Sequence, residues 1–312
     1  MTAAAAAAAA VRGPWDIRSD CTPACAVHTL PRVPAALTAR RLAAFAHAVR
    51  RALTDGGRAD EPVRLRTHAR ALLASLGIRR EGTGCADAGG PAAPGQGQGQ
   101  GLTVPAGGPG TLVVVNHISW LDIPALLAVE PVTLLAKREV GGWPVVGGLA
   151  RRAGTHFIDR TDPRRLPYAV AELTELLASG RSVAVFPQAT TWCTAGPGAF
   201  RRATFQAALD AGAPVRPVTV GYTQGGGPST VAAFCGEDTF AASLRRVLTA
   251  RALAVRVTAH PAVAGVGLDR RELAALAEHA VLGGRVRTGL PTGAPGVPAP
   301  RRTPQPMADR HG

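Results

Sequence analysis

Residues 111–129 read TLVVVNHISWLDIPALLAV. Leu112 and the three valines after it form a short apolar run, read as a strand covered on both faces. Asp122 then stands where a helix would begin, with Pro124 in the first turn, where a missing N–H is tolerated. A strand feeding a helix through a short turn is half of an α/β unit. Working outward, apolar runs recur as TLLAK (133–137), THFID (155–159), SVAVFP (182–187), PVRPVTVGY (214–222) and LAVRVTAH (253–260). Helical spacing is predicted over Ile123–Val129, Pro163–Ala178, Ala199–Ala211, Phe240–Ala250 and Asp269–Leu282. Such alternation predicts an α/β domain with a central, mostly buried sheet flanked by helices.

Around this domain, assigned to 111–283, the composition changes. Residues 1–32 carry Ala, Pro and Cys without a clear period and read as a disordered segment, as does the Pro- and Arg-bearing tail 284–312. Within 33–80, ALTARRLAAFAHAVRRALTDGG (36–57) and VRLRTHARALLASLG (63–77) place apolar residues three and four apart with Arg between them, a basic amphipathic helical region. Its apolar face has two readings, docking on a membrane surface or packing on the domain. Residues 81–110, rich in Gly, Pro and Gln, read as a linker or loop.

The 312 residues carry 35 basic and 21 acidic side chains, a formal charge of +14 that favours anionic partners. Lys137 is the single lysine, so the arginine content also reflects coding bias. Nucleic acid is not expected as a partner, because the arginines are scattered among alanines, aromatic residues make up 4% and no recognition motif occurs. Five cysteines at 21, 25, 85, 193 and 235 lack disulfide-scaffold spacing and point to a reducing compartment. Cys21, Cys25 and His28 have no second ligand cluster in sequence, so no metal is expected. No run of about 18 apolar residues occurs, and any membrane contact is expected to be peripheral, on the cytoplasmic side.

His117 and Asp122 are the candidate reactive pair. Five residues along a continuous helix turn the chain by about 500°, which would point the side chains apart. The strand-to-helix turn between them removes that obstacle. A carboxylate accepting the proton of one imidazole nitrogen leaves the other free as a general base. Chance alone supplies roughly half an occurrence of this spacing in such a composition, so the pair gains weight only from its surroundings. Ser119 beside the pair lacks the G-x-S-x-G elbow of a hydrolase, and Cys193 reads as a structural cysteine rather than a nucleophile. Phosphate-loop, dinucleotide and H-E-x-x-H motifs do not occur.

Those surroundings are four blocks: NHISWLD (116–122), AKREVGGWPVVGGLARRAGTHFIDR (136–160), VAVFPQATTW (183–192) and APVRPVTV (213–220). In order and spacing they resemble the glycerophospholipid acyltransferase family of the lysophosphatidic acid acyltransferase type, with wording nearest to its actinobacterial members. The resemblance implies a general base at His117 oriented by Asp122, with acyl-CoA or acyl carrier protein as cosubstrate and no other cofactor. It further implies an anionic lysolipid acceptor, contacted by Arg160, Gln188, Ala189, Thr190 and Arg201. Asn116, Phe186, Pro187 and Pro217 would line the acyl chain or serve the frame; for Pro217, an edge or bulge position in an ordinary strand is expected. The third block departs from the family's Phe-Pro-Glu-Gly-Thr, for Gln188 replaces the glutamate and Ala189 the glycine. Gln188 loses the charge, and Ala189 adds a methyl where positive φ would favour glycine. A retuned acceptor such as a lyso-ornithine lipid, a weakened or non-catalytic lipid-binding protein, and no effect at all remain open readings.

Overall fold

A computed structural model describes residues 17, 19–55, 62–81, 101–104, 107–137, 141–142, 146–158, 163–195 and 198–283. The helices are α1 (Ala35–Thr54), α2 (Pro62–Ser75), α3 (Asp122–Val129), α4 (Val146–Arg152), α5 (Leu166–Ala178), α6 (Ala203–Asp210), α7 (Phe240–Leu248) and α8 (Arg270–Glu278). The strands are β1 (Arg79–Glu81), β2 (Leu112–Val115), β3 (Thr133–Lys137), β4 (His156–Ile158), β5 (Val183–Val185), β6 (Val215–Gln224), β7 (Gly227–Pro228) and β8 (Leu253–Ala259). They form one sheet in the order β1-β8-β6-β2-β5-β3-β4, with β7 paired to the end of β6. Neighbours run parallel except along β6, which is antiparallel to β8 and to β7.

All four residues of β2 are buried. Side chains alternate across a strand. Val113 and Val115 therefore join a core with Leu73, Leu76, Leu121 and Leu126, whereas Leu112 and Val114 join one with Leu173, Leu177, Phe205 and Leu273. Burying each such side chain contributes roughly 1.5–3 kcal/mol. The sheet is thus covered on both sides, as its apolar strands predict.

The outer boundaries fall differently from the sequence reading. Residues 19–32 are laid against the domain rather than disordered: Thr29 N–H and Oγ1–H both donate to Gln224 Oε1 at 3.0 Å, and Val27 N donates to Thr230 Oγ1. Helix α2 buries Ala69 and Leu73 against the core that contains α3. Of the two readings of the basic helical region, packing on the domain holds for this helix. Nor is 33–80 separate from the sheet, since Arg79–Glu81 forms the edge strand beside β8. Inside the expected linker, Leu102 is fully buried and Glu130 accepts hydrogen bonds from Leu102 N and Thr103 N. The apolar side chain and the carboxylate anchor residues 102 and 103 of this loop, while 82–100, 105 and 106 lie outside the described residues. The tail 284–312 lies outside the described residues.

Arginines tie these segments together by accepting the task of helix caps. Arg41 Nη1 donates to Leu248 O and Ala250 O at the end of α7, Arg70 Nε to Ala128 O at the end of α3, and Arg152 Nε to Ala52 O in α1. Each places a cation where the helix dipole is negative and carbonyls lack partners. Gly77, at φ +73°, leaves the space the Arg41 guanidinium fills; a Cβ there would lie 2.3 Å from Nη2.

Pro217 is on an interior strand rather than an edge one, and it sits at a bulge: Val218 pairs with Ala259 but Val215 with Val263, so Arg216 and Pro217 face three residues beyond the end of β8. Leu112 N bonds Pro214 O on the β2 side, while Val215 N bonds Val263 O and Pro217 O accepts from His260 N on the other. The missing N–H of Pro217 therefore faces the place where β8 has already ended, and no ladder bond is lost. The helix expected from Ala199 starts instead at Ala203, because Phe200 N and Arg201 N are drawn off to Glu278 Oε2 and Pro187 O.

Candidate active site

At the C-terminal end of β2, Asn116 extends the strand with its side chain: Oδ1 accepts from Val220 N at 2.8 Å and Nδ2 donates to Val220 O at 2.9 Å. The next residue, His117, turns off the sheet. Its Nδ1 lies 2.8 Å from Asp122 Oδ2, so the turn brings together the pair that a continuous helix would separate. The same carboxylate oxygen accepts from Ile118 N at 2.7 Å and Ser119 N at 2.9 Å, and Oδ1 accepts from the Tyr222 hydroxyl at 2.6 Å. Every donor around Asp122 is aimed at a negative charge, which fixes the Nδ1–H tautomer of His117 and leaves Nε2 with its lone pair. Asp122 has no exposed side-chain surface, whereas the His117 side chain keeps 21%. Burial first, then the Asp122 charge, hold Tyr222 protonated well above the usual phenol range, so it remains a donor.

The backbone of His117 is clamped as firmly as its ring. Gln188, buried in the turn after β5, accepts His117 N–H at 2.9 Å and donates to Gly198 O at 3.2 Å. Trp192 N donates to His117 O at 2.9 Å, and the Phe186 ring stacks on the imidazole with centroids 4.1 Å apart. Both ends of the Gln188 amide are thus tied to backbone, and the side chain supports the His117 main chain. Ala189 does adopt φ +59°, the left-handed region that favours glycine. Pro187 and Gln188 occupy the middle of a turn closed by Ala189 N to Phe186 O at 3.0 Å, and Thr190 follows half-buried. The Ser119 hydroxyl accepts from Leu121 N inside the loop, consistent with the absence of a hydrolase elbow.

A cleft of about 710 Å³ opens beside this clamp, lined by Gln188 and Trp192 together with Arg201, Arg202, Arg270 and Arg271. Arg201 is therefore gathered with three further guanidiniums that the sequence reading did not group. Arg160 lies outside the described residues. Tyr222 and Trp192 were also missed: Tyr222 is 100 positions from Asp122, and only the pleat of β6 brings it there. Cys193 Sγ is engaged 3.3 Å from Cys21 Sγ, and burial pushes its thiol up to about 12, which is unlike a nucleophile.

The α/β sheet thus carries a carboxylate-oriented histidine at the end of a central strand. The family to which the chain belongs is Acyltransferase, whose profile matches residues 100–221. Over 183 residues the chain is 39% identical to a lyso-ornithine lipid O-acyltransferase of Pseudomonas aeruginosa, covering 58% of this chain and 70% of that protein. Over 148 residues it is 38% identical to a 1-acyl-sn-glycerol-3-phosphate acyltransferase of Neisseria meningitidis, covering 47% of this chain and 58% of that protein. The crystal structure of the 1-acyl-sn-glycerophosphate acyltransferase PlsC from Thermotoga maritima matches in fold with a TM-score of 0.52 at 19% identity, over 79% of this chain and 92% of that one. The chain is an acyltransferase.

Proposed function

We propose that this enzyme acylates the hydroxyl of an anionic lysolipid at a membrane surface, drawing the acyl group from the thioester of acyl-CoA or acyl carrier protein. Nε2 of His117 takes the proton of the acceptor hydroxyl as its oxygen attacks the thioester carbonyl. The C–S bond then breaks, and the departing thiolate recovers that proton from the imidazolium. Asp122 stabilises the transient positive charge while remaining ionised. The observation that carries this reading is the 2.8 Å contact between His117 Nδ1 and Asp122 Oδ2, held from both sides beside a cleft walled by arginines.

Four guanidiniums suit a phosphate, which accepts paired hydrogen bonds from a planar fork. Lysophosphatidic acid is accordingly the acceptor we favour, in phospholipid biosynthesis. A lyso-ornithine lipid is the second reading, favoured by the likeness to the Pseudomonas enzyme of that name. Among the described residues no helix is long and apolar enough to cross a membrane. Helix α1, which buries only Ala48 and Ala52 and exposes Leu42 between Arg40 and Arg50, supports peripheral contact with an anionic, cytoplasm-facing bilayer. The test is a purified-protein assay with labelled acyl-CoA or acyl carrier protein against a panel of lysolipids. Product with lysophosphatidic acid, lost in His117→Ala, is expected; no product with any acceptor would overturn this reading in favour of a non-catalytic lipid binder.

A further inference from the structure

Away from the dyad, three thiols from two distant parts of the chain converge. Cys21 precedes a 3-10 turn (Pro23–Cys25) that Cys25 ends, and Cys193 follows Trp192 in the segment that clamps His117. The Sγ atoms of all three lie within 4.8 Å of one another, with Cys21 and Cys193 at 3.3 Å. Cys193 N also donates to Cys21 Sγ, at 3.3 Å, a hydrogen bond that favours the thiolate form of Cys21. The approach is built, not incidental: Gly236, at φ +60°, admits the Cys21 carbonyl, which a Cβ would meet at 3.0 Å.

We infer that Cys21, Cys25 and Cys193 bind a thiophilic divalent cation, zinc by its ligand chemistry, that locks the N-terminal segment onto the loop behind the catalytic histidine. A tetrahedral zinc with Zn–S bonds of about 2.3 Å separates its sulfurs by roughly 3.8 Å, which these thiols reach with small side-chain adjustments. The three intervening residues between Cys21 and Cys25 fall within the usual spacing of a zinc-binding pair, and the missing third ligand comes from Cys193, 172 positions on. All three residues are half-buried, so a cation can enter from solvent and a water can complete the coordination. Binding exchanges three S–H protons for three Zn–S bonds: the hydrated dication gains three thiolates, keeps one water and releases three protons to solvent. A dication draws even a thiol of raised pKa into its thiolate form.

This role is independent of acyl transfer, and its test reads the metal. The full chain, purified under reducing conditions without chelator, is expected to hold about one zinc per chain by elemental analysis. After stripping, Co²⁺ should restore a thiolate-to-metal charge-transfer band, weakened roughly 100-fold or more in affinity by Cys21→Ser, Cys25→Ser or Cys193→Ser, and little changed by Cys235→Ser. Should a variant fail to fold, alkylation of the wild-type protein decides: zinc must protect Cys21, Cys25 and Cys193 together. Absence of both zinc and the Co²⁺ band, or recovery of a Cys21–Cys193 disulfide in place of metal binding, would overturn the inference.

Discussion

The Tyr222 hydroxyl reaches Asp122 Oδ1 at 2.6 Å, across 100 residues of chain, and completes the set of donors around the buried carboxylate. Removing it with Tyr222→Phe leaves a buried lone pair without a partner, a cost of about 1–3 kcal/mol. Chemical denaturation should show that loss. Steady-state kinetics should show a fall in kcat of about tenfold with KM nearly unchanged, as expected for a residue that positions the base without touching substrate.

Asp122→Asn tests the dyad more directly. The amide would present N–H groups to the donors of Ile118, Ser119 and Tyr222 and favour the wrong imidazole tautomer. A drop in kcat of about 10²–10⁴-fold is expected, comparable with His117→Ala. Unchanged turnover in either variant would sink the general-base assignment.

Restoring the family's glutamate through Gln188→Glu should impair this enzyme, not improve it. The neutral amide matches one donor, His117 N, and one acceptor, Gly198 O. A carboxylate repels Gly198 O and leaves a buried charge half-satisfied, costing roughly 1–3 kcal/mol. A thermal melt of both proteins measures it; a higher melting temperature in the variant would refute this account of the clamp.

Ala189→Gly should act in the opposite direction. An L-residue at φ +59° carries left-handed strain of about 1–2 kcal/mol, of which glycine's greater unfolded-state freedom takes back roughly half. A gain of about 0.5–1 kcal/mol in stability is expected, and Ala189→Val should lose more than that.

His260 makes stability depend on pH. Burial lowers its folded-state pKa, while the unfolded ring titrates near about 6.5. On acidification the unfolded chain takes up the proton first, so this stability is present above about pH 6.5 and lost as pH falls toward the folded pKa. Denaturation midpoints followed downward from pH 7 should decline less steeply in His260→Gln, which retains a donor for Thr219 Oγ1.

Much of this could be read from the chain because the central strands are unbroken apolar runs; all six of the runs singled out are strands. What escaped was set by partners rather than by local pattern. Arg79–Glu81 has no apolar signature, being an edge strand with β8 as its neighbour. Val146–Arg152 is helical despite two glycines in its first turn. In the site, the five-residue interval between His117 and Asp122 was readable, and so was the positive φ of Ala189. Gln188 was read as lost charge toward a ligand, since nothing in sequence shows that Gly198 O and His117 N wait on either side of it. Cys193 likewise gains meaning only when folding lays residues 19–26 beside it.

Strand β6 has one last implication. Val220 fixes Asn116, Tyr222 holds Asp122, and Gln224 fastens Thr29, three successive alternate positions on a single extended stretch. Deleting Gly221 would carry Tyr222 and Gln224 to the opposite side of the pleat, unseating the buried carboxylate and the N-terminal strap at once. Length in this strand is therefore a shared yardstick, and evolution is free to change its letters far more readily than to change its count.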